Sequence, residues 1–227
     1  MLKVGHSMRT LIIVSHPHIE KSTTQSFFKE SAAALNDVVW HPLVASEMDI
    51  AVERRLLLAA DRVVLEFPLY WYSAPASLWQ WFDEVWVRGV VYDEQGGLLR
   101  GKSLGLVVNY GQSPQAFGLA GQNGLSVTDA LKPFVGIANR TGMTLLPPIL
   151  VPQFERLTDD ARAELMVKYQ QYLSLMHPQS REEQARWFAR ALRNRQQDIF
   201  ADALTDQEDE LLRLRQTVAE LRAGEED

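Results

Sequence analysis

Three short stretches hold residue types that could do chemistry. In "SHPHIEKSTTQ" (15–25), Ser22 and Gln25 have the spacing of a capping box, so a helix should begin near Ser22 with its first amides pointing outward. Such an end attracts a phosphate through aligned N–H groups and the helix dipole. The hydroxyls of Ser22, Thr23 and Thr24 add donors, and His16 adds an imidazole N–H. An ordinary capped helix behind a polar loop would use the same residues, so this stretch alone does not decide. In "FPLYWYSAP" (67–75), Phe67, Tyr70, Trp71 and Tyr72 follow the apolar run "VVLEF". Rings placed beyond a strand, rather than within it, suit one wall of a pocket for a flat ligand. In "NYGQSPQAFG" (109–118), Gly111 permits close backbone approach, and Asn109 and Gln112 offer donors to a carbonyl-rich edge. A generic turn is the plainer reading of this third stretch.

The elements that must position these loops alternate. Apolar runs at 10–15, 38–43, 62–67, 102–110 and 143–151 read as strands, and helical spacings lie between them at 22–35, 53–61, 74–89 and 126–142. Pro133 should bend the last helix or delay its start, and Pro147 and Pro148 should make the fifth strand an edge or an irregular one. Continuous apolar strands alternating with helices predict an α/β fold, a five-stranded parallel sheet with helices on both faces. No Gly-x-Gly-x-x-Gly follows the first strand, so the flavodoxin-like order is expected rather than a dinucleotide-binding Rossmann domain. In that order the first and third strands flank the point where ligands bind. The loop with Ser22 and the loop "PLYWYS" would then meet one ligand, phosphate at one end and flat ring at the other. Flavin mononucleotide fits that description.

Trp79, Trp81, Phe82 and Trp86 are spread along a helix and read as packing. "GLAGQNG" (118–124) follows no strand directly and reads as a mobile loop. His41 and His177 stand alone, with no metal-ligand partner at workable spacing, so no metal site is expected. Composition narrows the classes further. The chain has 227 residues, no cysteine and a net charge of −6. That excludes disulfides and thiolate chemistry and argues against nucleic acid and anionic lipid. No apolar run is long enough to span a bilayer, and the first ten residues lack the apolar core of an export signal, so a cytoplasmic protein is expected.

Composition changes after "MHPQS" (176–180). Residues 1–180 read as one ligand-binding domain and 181–227 as a helical extension, rich in Arg, Glu, Asp and Gln. Ser180/Glu183 and Thr205/Glu208 have capping-box spacing, which predicts two helices. Leu211, Leu214, Val218 and Leu221 form an apolar stripe too short for an independent coiled coil, so the extension should pack on its own domain or on a second copy as a dimerisation arm.

With these residues in view, the chain resembles the flavodoxin-like NAD(P)H:quinone oxidoreductases, the DT-diaphorase family, and most of all the ancillary subunits of glutathione-gated potassium efflux systems. The resemblance rests on "HP" after the first strand with serine six residues beyond the histidine, "P-x-x-WYS-x-P" after the third, the tract "W-x-D-x-V…G-x-x-Y…GG…L-x-GK", and "LPP". It covers residues 9–175. It implies FMN, with FAD as the alternative, bound by His16, Ser22, Thr23, Thr24 and Gln25, by Pro68, Leu69, Tyr70, Trp71 and Tyr72, and by Asn109, Tyr110, Gly111 and Gln112. It implies NAD(P)H as co-substrate and hydride transfer through the flavin to a quinone or similar electrophile. Trp71, Tyr72, Tyr110 and Phe117 would wall the substrate pocket. It also implies a homodimer, and a potassium efflux antiporter as partner, through which the protein would sit peripherally at the inner membrane. The family's usual "TTGG" stands here as "NYGQ", which puts the bulky Tyr110 where a threonine is expected.

Overall fold

The computed structural model describes residues 8–44, 46, 48–92, 97–118 and 120–224. Residues 1–7, expected to carry no export signal, and residues 93–96 of the tract shared with the resembled family fall outside them.

The expected strands form one sheet: β1 (Thr10–Val14), β2 (Val38–Pro42), β3 (Arg62–Pro68), β4 (Ser103–Tyr110), β5 (Thr144–Leu145) and β6 (Ile149–Pro152). The order is β2-β1-β3-β4-β5, with β6 also pairing β4, and every pair is parallel. The fifth strand of the sequence reading is thus two short pieces along β4. Pro147 and Pro148 have no N–H for the ladder and interrupt it between Leu145 and Ile149.

Alternation along the strands splits the core into two faces. Leu11, Ile13, Val63, Leu65, Phe67, Leu104, Leu106 and Val108 point to one side, where α2 (Ile50–Ala59), α3 (Ala76–Val85) and α5 (Lys132–Thr141) supply Leu57, Leu78, Trp81, Phe82 and Phe134. Ile12, Val14, Val64 and Val107 point to the other, under Phe28 of α1 (Thr23–Ala33) and Tyr169, Tyr172 and Leu173 of α6 (Asp159–Ser174). Gly105 marks the closest approach on that second face. A Cβ there would lie 2.8 Å from the Tyr172 ring, whose hydroxyl accepts the Leu106 N–H at 3.1 Å. Only glycine lets the α6 tyrosine come down onto β4.

Pro133 acts as expected. The helical stretch 126–142 divides into α4 (Val127–Ala130) and α5, with Leu131 closing one and opening the other and Pro133 in the first turn of the second. Ser126 and Asp129 cap α4 reciprocally, a signal absent from the sequence reading.

The chain divides into two compact units, Met1–Ser174 and Leu175–Asp227. The second contains α7 (Arg181–Arg193) and α8 (Asp198–Gly224), which pack on one another. Ser180 caps α7 by accepting the Glu183 N–H, but the Glu183 carboxylate turns away to take the N–H and ring Nδ1 of His177. The expected helix start at Thr205 is wrong. α8 begins seven residues earlier, at Asp198, and the Thr205 hydroxyl donates to the Ala201 carbonyl inside the helix.

Candidate functional site

The loops after β1 and β3 leave neighbouring strands at their carboxyl ends, on the two sides of the point where the strand order reverses. Ser22 caps α1: its Oγ accepts the Gln25 N–H at 3.2 Å, and its carbonyl accepts the Ser26 N–H. Among the described contacts, the amides of Thr23 and Thr24 remain uncommitted within the chain, outward-facing donors at the positive end of the helix. Gln25 does not complete the expected reciprocal cap. Its side chain is 1 % exposed, and neither Nε2 nor Oε1 has a partner. A buried amide without hydrogen bonds costs on the order of 1–3 kcal/mol. The outward-facing amides of Thr23 and Thr24 make the head of α1 a donor site for a polar guest.

A carboxylate already stands there. The Thr23 hydroxyl donates to Glu155, from the turn Phe154–Arg156. Beside it opens a cleft of about 480 Å³ lined by Lys21, Thr23, Phe27, Phe154, Glu155 and Arg162. His16 accepts the His18 N–H on Nδ1 at 3.0 Å. Burial and the neighbouring His18 lower its pKa, so the ring is neutral near pH 7 and its proton sits on Nε2, free to donate.

The aromatic loop is a two-residue hairpin turn. Tyr70 and Ser73 exchange both backbone hydrogen bonds at 3.0 Å, and the residues between them, Trp71 and Tyr72, have φ of +50° and +61°. Turns of that hand normally carry Asn-Gly, because a Cβ at positive φ is strained. Two large rings occupy it here. Trp71 is 94 % exposed, Tyr70 and Tyr72 are also exposed, and the Tyr70 ring meets His16 edge-on at 6.2 Å. Behind the turn, Pro68 and Leu69 are buried, and the Leu69 N–H is tied to the Asn109 carbonyl at 2.8 Å.

That last bond brings in the loop after β4. Asn109 closes the strand with its Oδ1 buried and without a partner, while Gly111 and Gln112 are exposed. Tyr110 is 8 % exposed and lies edge-on to Phe117 at 5.2 Å, so both rings belong to the core beneath the loop more than to its open side. Within "GLAGQNG", Asn123 is bonded from both sides. The Tyr72 hydroxyl donates to Asn123 Oδ1 at 3.1 Å, and the Asn123 amide donates to Gln112 Oε1. Asn123 thus joins the aromatic turn to the β4 loop. Sequence reasoning missed it, and the only signal was a lone asparagine among glycines.

Two buried carboxylates lie under this surface. Glu66, in β3 just before Phe67, is fully buried, with Tyr169 Oη at 2.6 Å and Trp40 Nε1 at 3.3 Å. Burial pushes its pKa up to about 7, against the lowering effect of those two donors. Glu53 of α2 is also buried. Burial pushes it up, but hydrogen bonds from His41 (2.7 Å) and Trp81 (2.8 Å) outweigh this and leave it below its ordinary value. His41 is therefore not alone, and Trp81 packs as expected. No cluster of metal-ligating side chains occurs among the described residues.

Known proteins resemble this chain in sequence and fold. The chain is 35 % identical to NAD(P)H oxidoreductase YdeQ of Bacillus subtilis, over 74 % of this chain and 87 % of that one. It is 32 % identical to the glutathione-regulated potassium-efflux system ancillary protein KefG of Cronobacter sakazakii, over 65 % and 83 %. Among solved structures, an NADPH-quinone reductase from P. pentosaceus matches at 44 % identity with a TM-score of 0.71, over 74 % of this chain and 99 % of that one. General stress protein 14 of Treponema denticola, solved in complex with FMN, matches at 31 % identity with a TM-score of 0.65, over 73 % and 97 %. Residues 8–173 match the family model described as the flavodoxin-like fold, and the chain belongs to that family.

Proposed function

We propose that this chain is an FMN-dependent NAD(P)H oxidoreductase that reduces quinones or related electrophiles by two-electron transfer, as a cytoplasmic homodimer. The observation that carries the reading is the pair of uncommitted Thr23 and Thr24 amides at the capped head of α1, across the strand reversal from a strained turn that exposes Trp71. The residues fit the cofactor. The amides of Thr23 and Thr24, the Ser22 cap and His16 Nε2–H would hold the phosphate; Trp71 and Tyr72 would wall the ring; Asn109 and Gln112 would meet its polar edge. When bound, FMN supplies hydride acceptance and donation. The chain supplies position: Asn123 fixes Tyr72 and Gln112, and the Leu69–Asn109 bond holds the two loops together. No helix among the described residues is long and apolar enough to cross a membrane.

A second reading is a regulatory subunit of a potassium efflux antiporter with weak catalysis, held peripherally at the inner membrane by that partner. The KefG relative favours it, as does the engagement of Thr23 and Gln112 by other side chains. Flavin titration followed by stopped-flow reduction with NADPH separates the two. Tight FMN binding with rapid reduction, and turnover on a soluble quinone, is expected. Tight binding without reduction favours the regulator, and failure to bind FMN or FAD overturns both.

Glu155→Gln is a sharper probe of the phosphate end. The carboxylate sits where a phosphate must approach, and an exposed like-charge contact is worth about 0.5–1 kcal/mol. Removing the charge is expected to tighten FMN about two- to fivefold, most at low salt. Unchanged or weaker affinity in a fluorescence titration would separate Glu155 from the phosphate.

A further inference from the structure

α8 is 27 residues long and α7 only 13, about 40 Å against 20 Å at 1.5 Å per residue. α7 cannot cover the second half of its partner. Ala201 is buried and Leu204, Glu208 and Leu212 are partly buried, a row on the side of α8 that faces α7. A different row is bare. Phe200, Leu211, Leu214 and Val218 are 67 %, 55 %, 56 % and 48 % exposed, and with Gln207 they fall on one line at spacings of seven, four, three and four residues. An apolar helix stripe of this kind is a surface for another helix.

Charge identifies the occupant. Asp198 to Glu210 carries acidic side chains and no cation, whereas Leu211 to Gly224 carries Arg213, Arg215 and Arg222 against Glu220. A parallel copy would set acid on acid and arginine on arginine. An antiparallel copy sets each acidic half on a basic half, and the stretch from Gln207 to Val218 stays in register because it is symmetric about the midpoint between Leu211 and Leu214. We propose that α8 is an interface that pairs antiparallel with α8 of a second copy of this chain about a two-fold axis. With Leu211 opposite Leu214, Gln207 faces Val218, and Arg215 falls beside Glu208 of the second copy. The inference rests on α7 and α8 alone and stands independently of the oxidoreductase reading.

The chain has no cysteine, so engineered thiols report without interference. Full-length Val218→Cys mixed with full-length Gln207→Cys is expected to give the disulfide-linked dimer under mild oxidation. Neither alone should do so, because identical positions lie about 16 Å apart along an antiparallel pair, beyond the reach of a disulfide. Adding Arg215→Glu and Arg222→Glu to both chains should slow cross-linking at least tenfold at low salt. Self-cross-linking of Val218→Cys would mean a parallel pair and overturn the proposal. So would the absence of any cross-link, or cross-linking indifferent to charge reversal.

Discussion

Glu66→Gln is expected to stabilise the protein by about 3 kcal/mol at pH 8 and to change its stability little at pH 5. Glu66 has its carboxyl raised from about 4.5 to about 7 by burial, so the folded chain holds that proton more tightly than the unfolded chain. The stabilisation is therefore fully present below the unfolded pKa and is lost as pH rises through the folded one. Above pH 7 a buried charge remains, eased by Tyr169 and Trp40 but not paired with a cation among the described contacts. Glutamine keeps the shape, an oxygen to accept the Trp40 N–H and an N–H for the Tyr169 hydroxyl to accept, and it has nothing to ionise. Urea unfolding between pH 5 and pH 8 should show a falling curve for the native chain and a flatter one for the variant. Parallel curves would place the Glu66 pKa elsewhere.

Replacing Trp71 and Tyr72 together by Asn-Gly is expected to strengthen the fold and weaken the function. Each non-glycine residue at positive φ costs about 1 kcal/mol or more, and the exposed Trp71 ring gives up little packing when removed. A gain of about 1–3 kcal/mol in unfolding free energy is expected, reduced by loss of the Tyr72–Asn123 bond. On the proposed reading the same change strips two rings from a planar ligand. At about 1–3 kcal/mol per stacked ring, FMN affinity should fall by about a hundredfold or more. Thermal unfolding and flavin titration on one preparation test both halves. A more stable protein with unaltered flavin affinity would remove the aromatic turn from the site.

The parts of this molecule that follow from neighbours in sequence were legible before its coordinates. Strand and helix alternation led to the parallel sheet, the serine caps marked α1 and α7, and Pro133 split a helix where it should. Thr205 misled because its spacing to Glu208 is also met inside a helix, and nothing local shows that Asp198 starts it earlier. The aromatic loop was legible as a wall, but its hairpin turn was not, since Trp-Tyr is among the least expected pairs at positive φ. Contacts made across the fold were out of reach. Glu53 gathers His41 and Trp81, the three coming from separate elements, and Asn123 reaches Tyr72 over fifty-one positions of sequence. Glu66 did give a sign, a carboxylate inside an otherwise apolar strand.

Proline bounds both borders of the sheet. Pro42 ends β2 on one side, and on the other Pro147 and Pro148 part β5 from β6 before Pro152 closes it. Each removes a donor from a row that a foreign strand would need, and neither border offers more than a few consecutive free groups. Among the described residues, self-association through β-strand addition, the first step toward amyloid, finds only short templates.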